Sequence, residues 1–221
     1  MSVGLGLIGR VLGGALFAGA WPLLAHATSA QALVSQGNGR GAPPCQSCHG
    51  ADGAGQAAAG FPRLAGLDAA YLARQLADYA GGTRADAVMQ PIARALSGDE
   101  RQAVAAYYGR LPMPTIRQAP RPAANGPGAT LATRGRWSRR LPACEQCHGP
   151  GGVGVGPHFP PLAGQPAAYI QAQLKAWRRG TRRNDPLQLM QHVSRALSDG
   201  DMAAVAQWFA AQPLPARSGG R

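Results

Sequence analysis

The sequence predicts an all-α protein built as two tandem copies of one small helical domain. Three observations carry that reading. Short blocks recur in the same order at a spacing close to 100 residues, as from Cys45 to Cys144. A Cys-x-x-Cys-His pattern occurs once in each copy and uses all four cysteines. Glycine (31) and proline (19) are abundant, and no stretch shows the apolar–polar alternation of a half-buried strand.

The elements follow in chain order. Residues 1–27 hold one charge, Arg10, then an apolar run through Leu24, then Ala25-His26-Ala27. That order is expected of a secretory signal, or of an uncleaved N-terminal anchor. The rest of the chain is then periplasmic. Residues 28–111 form the first domain, 112–128 a linker and 129–221 the second domain. The linker has Pro at 112, 114, 120, 122 and 127, which favours an extended, semi-rigid spacer.

Each copy reads as three helices. The first falls near 31–36 and 129–137. The second falls near 69–80, with Asp68 as N-cap and Gly81 after it, and near 166–179, with Gly180 at the C-cap position. The third begins at Ser97, where Ser97-Gly98-Asp99-Glu100 is a capping box, and at Ser198. Its apolar faces are Val104, Tyr107 and Tyr108, matched by Met202, Val205, Trp208 and Phe209.

The charge is uneven. Residues 28–115 hold 7 basic and 6 acidic groups, whereas residues 116–221 hold 14 and 4. An exported chain whose basic residues lack interleaved aromatics is not expected to bind nucleic acid. An acidic protein partner or an anionic membrane surface fits better. The docking candidates are Arg134, Arg136, Arg139 and Arg140, with Arg178, Arg179, Arg182 and Arg183. On charge alone, the second site is expected to have the higher potential.

Cys45-x-x-Cys48-His49 and Cys144-x-x-Cys147-His148 carry the chemistry. Two thiols at this spacing can add to the two vinyl groups of one haem, and the adjacent His then lies under the iron. A disulfide framework does not need His after the second Cys both times. A four-Cys zinc site would have to join pairs from separate copies. A redox-active Cys pair expects a strand–helix setting.

Electron-carrying haems often take Met as the second axial ligand. Met89 and Met190 align between the copies, 40 and 42 residues after His49 and His148. Met113 and Met202 have no counterpart. His158 and His192 could displace Met190, but neither has a first-copy partner. Pro62-Arg63-Leu64 and Pro160-Pro161-Leu162 each offer a proline carbonyl to the other ring nitrogen of the proximal His.

C-x-x-C-H-G is followed in each copy by F-P-x-L-A-G, Y-x-x-x-Q-L, G-T-R and M-Q-x-[IV]. In that order these motifs resemble the dihaem cytochrome c4 family of class I cytochromes c, over about residues 30–215. The resemblance implies two cytochrome c domains related by a pseudo-twofold, each a small helical fold around one covalent haem c. Thioether bonds would fall on Cys45, Cys48, Cys144 and Cys147. Axial ligands would be His49 with Met89 and His148 with Met190.

The expected function is single-electron transport without catalysis. The donor would be a membrane quinol-oxidising complex and the acceptor a terminal haem–copper oxidase. The alternatives are a cytochrome subunit of a dehydrogenase complex, or a dihaem peroxidase-like or thiosulfate-oxidising enzyme. An enzyme needs an open or easily displaced iron position, against which the aligned Met pair argues. The first copy has Gly66-Leu67-Asp68 where the second has Gly164-Gln165-Pro166, a departure from strict repetition.

Overall fold

A computed structural model describes Met1 and residues 29–114 and 123–214. The expected signal or anchor (1–27) lies outside the described residues, apart from Met1, as do residues 115–122 of the expected linker.

The first copy contains α1 (Ala30–Gln36), α2 (Gln46–His49), α3 (Ala69–Gly81), α4 (Met89–Ala95) and α5 (Gly98–Arg110). The second contains α6 (Pro127–Thr133), α7 (Glu145–His148), α8 (Ala167–Arg179), α9 (Leu189–Ala196) and α10 (Asp199–Ala210). Among the described residues there are isolated β-bridges and no strand. No helix there is long and apolar enough to cross a membrane.

Local chemistry explains the boundaries. Asp68 accepts from Tyr71 N at 2.9 Å and starts α3. Gly82 (φ 83°) and Gly180 (φ 72°) end α3 and α8 in the left-handed region. Ser97 and Ser198 each form a capping box, with Glu100 and Asp201 respectively. The helix expected near 129–137 starts earlier and ends at Thr133, because Gly135 (φ 72°) turns the chain back. A Cβ there would meet Leu141 O at 2.4 Å. Reciprocal backbone bonds between Arg136 and Leu141 then close the loop.

Three helices per copy were too few. The Cys-x-x-Cys-His segments are themselves short helices, α2 and α7. Met89 and Met190 sit in the first turns of α4 and α9. At 7 and 8 residues, α4 and α9 show too little periodicity to be seen in sequence. Aspartates placed just upstream hold their starts. Asp86 Oδ1 accepts from Val88 N and Met89 N, and Asp185 Oδ2 accepts from Met190 N and Gln191 N.

Each copy has its own core. The first joins Leu33 and Val34 of α1, Tyr71 and Leu72 of α3, and Val104 and Tyr108 of α5. The second joins Leu131 of α6, Ile170 and Leu174 of α8, and Met202, Val205 and Phe209 of α10. Burying each large side chain contributes roughly 1.5–3 kcal/mol. Cores this small commonly lean on a bound group.

The copies meet through matching segments. Ala85 N donates to Thr181 O at 2.8 Å and Arg183 N to Thr83 O at 2.7 Å, around an antiparallel bridge between Arg84 and Arg182. Both Gly-Thr-Arg repeats therefore lie on the pseudo-twofold.

Candidate functional site

In both copies the first cysteine precedes a one-turn helix and the histidine ends it. Cys45 Sγ faces Leu33 O of α1 at 3.9 Å, and Cys144 Sγ faces Leu131 O of α6 at 3.5 Å. Burial pushes the Cys45 thiol up and takes the Cys144 thiol to about 12. The four thiols are not joined in disulfides. Among the described residues, no three His, Cys, Asp or Glu side chains converge as a metal centre would require.

His49 and His148 are buried. His49 Nδ1 lies 3.0 Å from Pro62 O, and His148 Nδ1 lies 2.8 Å from Pro160 O. A carbonyl only accepts, so Nδ1 carries the proton and Nε2 is left unprotonated, with its lone pair available to a metal. Burial lowers the pKa of both rings against the raising effect of the proline carbonyl, and Arg182 lowers His148 further. Both imidazoles are thus neutral at pH 7, the form that binds a metal.

Glycine brings the proline loop close. Gly55 (φ 79°) and Gly154 (φ 89°) donate their N–H to His49 O and His148 O. A Cβ at Gly55 would come within 2.6 Å of Pro62 C, and one at Gly154 within 2.7 Å of Pro161 Cδ. Any larger residue would push the carbonyl away from the ring.

A cavity of about 1560 Å³ runs across both copies. It is lined by Cys48, His49 and Met89, and by Cys147, His148 and Met190. A single ligand pocket is roughly 300–1,000 Å³, so this space suits two large groups. His158 and His192 also reach the cavity, but both are exposed. The other two described internal methionines lie elsewhere. Met113 Sδ is 3.4 Å from Arg63 Nη1, and Met202 is fully enclosed in the second core.

Polar groups line the middle of the cavity. Arg84 donates to Gln75, Tyr169 and Gln173, and Arg182 donates to Gln173, Gln75 and Asn184. Arg84 stacks over Tyr79 and Arg182 over Trp177, each at 4.4 Å from the ring centroid. Neither guanidinium pairs with a described carboxylate. Two buried cations facing a cavity without counter-ions suit a ligand that brings its own carboxylates. Sequence reasoning passed over Gln75 and Gln173, although the repeated Gln in Y-x-x-x-Q-L was the signal. It also passed over Arg63, a fully buried guanidinium that burial brings down to about 10.

The expected basic docking surface is smaller than its composition suggests. Arg182 is buried between the copies. Arg136 is held by Asp201 through two bonds, at 2.9 and 2.7 Å, and Arg178 pairs with Asp199. Arg134, Arg139, Arg140, Arg179 and Arg183 remain exposed, and Trp137 beside them is 66% exposed.

Known proteins match both copies. Residues 42–111 match the Cytochrome c family model, and residues 129–209 match the model for cytochrome c oxidase, cbb3-type, subunit III. A thiosulfate dehydrogenase electron acceptor from Stutzerimonas stutzeri is 54% identical over 84% of this chain and 87% of its own. A cytochrome c4 from Pseudomonas aeruginosa is 37% identical over 84% of this chain and 90% of its own. Among solved structures, thiosulfate dehydrogenase TsdBA from Marichromatium purpuratum superposes with a TM-score of 0.77 at 45% identity. That match covers 86% of this chain but only 41% of the other, so this chain spans about two-fifths of it. Reduced cytochrome c4 from Pseudomonas stutzeri superposes at 0.70 with 34% identity, covering 76% of this chain and 93% of that one. The two Cys-x-x-Cys-His pairs fit two covalent haem c groups.

Proposed function

The chain belongs to the dihaem cytochrome c4 family of electron carriers, and from that premise we propose that it is a periplasmic, non-catalytic acceptor of electrons from a thiosulfate-oxidising enzyme. The carrying observation is the 54% identity, over most of both chains, to a protein named as the electron acceptor of thiosulfate dehydrogenase. The match to one part of TsdBA supports the same reading, since there an acceptor-like segment and further chain form one protein. A quinol-oxidising complex as donor is the less supported alternative. Onward delivery to a haem–copper oxidase completes the proposed route.

Bound haem supplies a one-electron couple at each site. The chain's own residues do the rest. We assign His49 and His148 as proximal ligands, each oriented by its proline carbonyl. Met89 and Met190 would supply the second protein ligand to each haem iron, since they line the cavity in equivalent helices while Met113 and Met202 are engaged elsewhere. Soft thioether sulfur favours the reduced state. Arg84 and Arg182 are the cations available to haem carboxylates, and the apolar walls exclude water. Met89 and Met190, as ligands, would leave no open iron position for a substrate.

The test is reduction in a cuvette. The holoprotein with thiosulfate alone should stay oxidised. Adding a purified thiosulfate dehydrogenase should reduce both haems. Reduction by thiosulfate alone would make the chain an enzyme, and no reduction in the complete mixture would remove the proposed donor.

A further inference from the structure

One peptide group joins the two copies at the proximal side of the first site. The carbonyl of Pro62 accepts from His49 Nδ1 at 3.0 Å. The N–H of the same peptide, on Arg63, donates to Gln165 Oε1 at 3.0 Å. Gln165 Nε2 returns a bond to Arg63 O at 2.9 Å. Arg63 and Gln165 are both buried, at 0% and 3% exposure, so water does not compete for these bonds. Arg63 Nη2 adds a further contact to Ala163 O at 3.3 Å.

The second site lacks this link at both ends. His148 Nδ1 still meets a proline carbonyl, that of Pro160. The next residue, however, is Pro161, which has no N–H to donate. The first-copy position that matches Gln165 is Leu67, which has no amide. The connection therefore runs in one direction, from the second copy to the first histidine.

We propose that Gln165 is a positioning residue for the first haem, tuning the proximal His49 from the opposite domain. This rests on His49 being an axial ligand. An amide whose N–H is engaged is polarised, and its carbonyl becomes a stronger acceptor. A stronger acceptor at Nδ1–H makes the ligand imidazole more basic and favours the oxidised iron. Gln165 therefore holds the first potential below the value it would otherwise have, and it leaves the second untouched. Loosening the interface would raise the first potential. The potential gap between the sites thus depends on how the domains are packed.

The experiment follows the two histidine Nδ1 protons by nuclear magnetic resonance in the reduced holoprotein, with potentials measured in parallel. In the unsubstituted protein, each proton should show the large ring-current shift of a haem ligand. Its absence for His49 would overturn the ligation and, with it, the coupling. Gln165→Met keeps length and removes the hydrogen bonds. It should move the His49 proton upfield and raise one potential, leaving the His148 proton in place. Gln165→Glu keeps an acceptor for Arg63 N–H and should move the His49 proton the other way. With His49 shown to be a ligand, the coupling is overturned if Gln165→Met leaves its proton unmoved. It is also overturned if both substitutions move both protons alike, as a general loosening would.

Discussion

Arg84 and Arg182, one from each copy, share two acceptors: both donate to Gln75 Oε1, at 2.9 and 3.0 Å, and to Gln173 Oε1, at 2.8 and 3.0 Å. Two like charges tolerate this proximity because each stacks on an aromatic ring and donates to neutral oxygens, Arg84 to Tyr169 and Gln173 across the interface and Arg182 to Gln173 and Asn184 of its own copy. The domain contact is thus built from neutral acceptors around two cations.

Replacing Arg84 with Met should strip Gln75, Tyr169 and Gln173 of a buried donor. Gln75 and Gln173 keep Arg182 as a donor, so the Tyr169 hydroxyl oxygen is the group left unsatisfied, at a cost of about 1–3 kcal/mol. The expected result is a lower melting temperature, with the domains melting in two resolved transitions by calorimetry. A single transition at the original temperature would show that this cluster does not hold the domains together.

Met89→Ala or Met190→Ala should each remove one thioether-to-iron charge-transfer band and lower the potential of that haem alone. Absorption spectra and redox titration read both effects. For the second haem, an unchanged spectrum in Met190→Ala combined with a changed one in His192→Ala or His158→Ala would reassign the ligand.

Asp201 supplies an acid-sensitive contact in the second copy. The two hydrogen bonds from Arg136 hold its carboxyl well below the usual carboxylate range, aided by Ser198. An unfolded Asp titrates near about 3.9. The stabilisation is therefore complete above that pH and is lost as pH falls towards the lower folded value. Asp201→Asn should lower the melting temperature at pH 7 and flatten its decline in acid. An unchanged decline would place the acid sensitivity elsewhere. The matching Arg40–Glu100 pair has its arginine side chain 64% exposed and should matter less.

Arg139 and Arg140 are exposed beside Trp137 and unpaired with any described carboxylate. Reversing both to Glu should slow electron uptake from thiosulfate dehydrogenase and weaken the dependence of that rate on salt. Stopped-flow reduction at two ionic strengths is the measurement. An identical rate and salt slope would leave this patch without a docking role.

Much of the site was legible because its chemistry is local. Cys45, Cys48 and His49 must be close in sequence to share one ring. Asp68, Ser97 and Ser198 announce helix starts because a cap acts within one turn. Duplication then gave every local signal a second, independent reading. Met89 and Met190 stood out by alignment, although α4 and α9 did not, being too short for a periodic pattern.

What the sequence determined by itself was the pair of attachment motifs, the long helices and the excess of basic residues in the second half. Only the tertiary structure decided which of those arginines face solvent. Arg136 and Arg178 look free until Asp201 and Asp199 are brought beside them, and Arg182 until the copies meet. It also turned Pro161 and Leu67 from unremarkable departures into the reason one histidine is linked across the interface and the other is not. The physical cause is the same in each case. Hydrogen bonds and ion pairs act over about 3 Å, and residues some twenty to a hundred positions apart come that close only after the chain has folded.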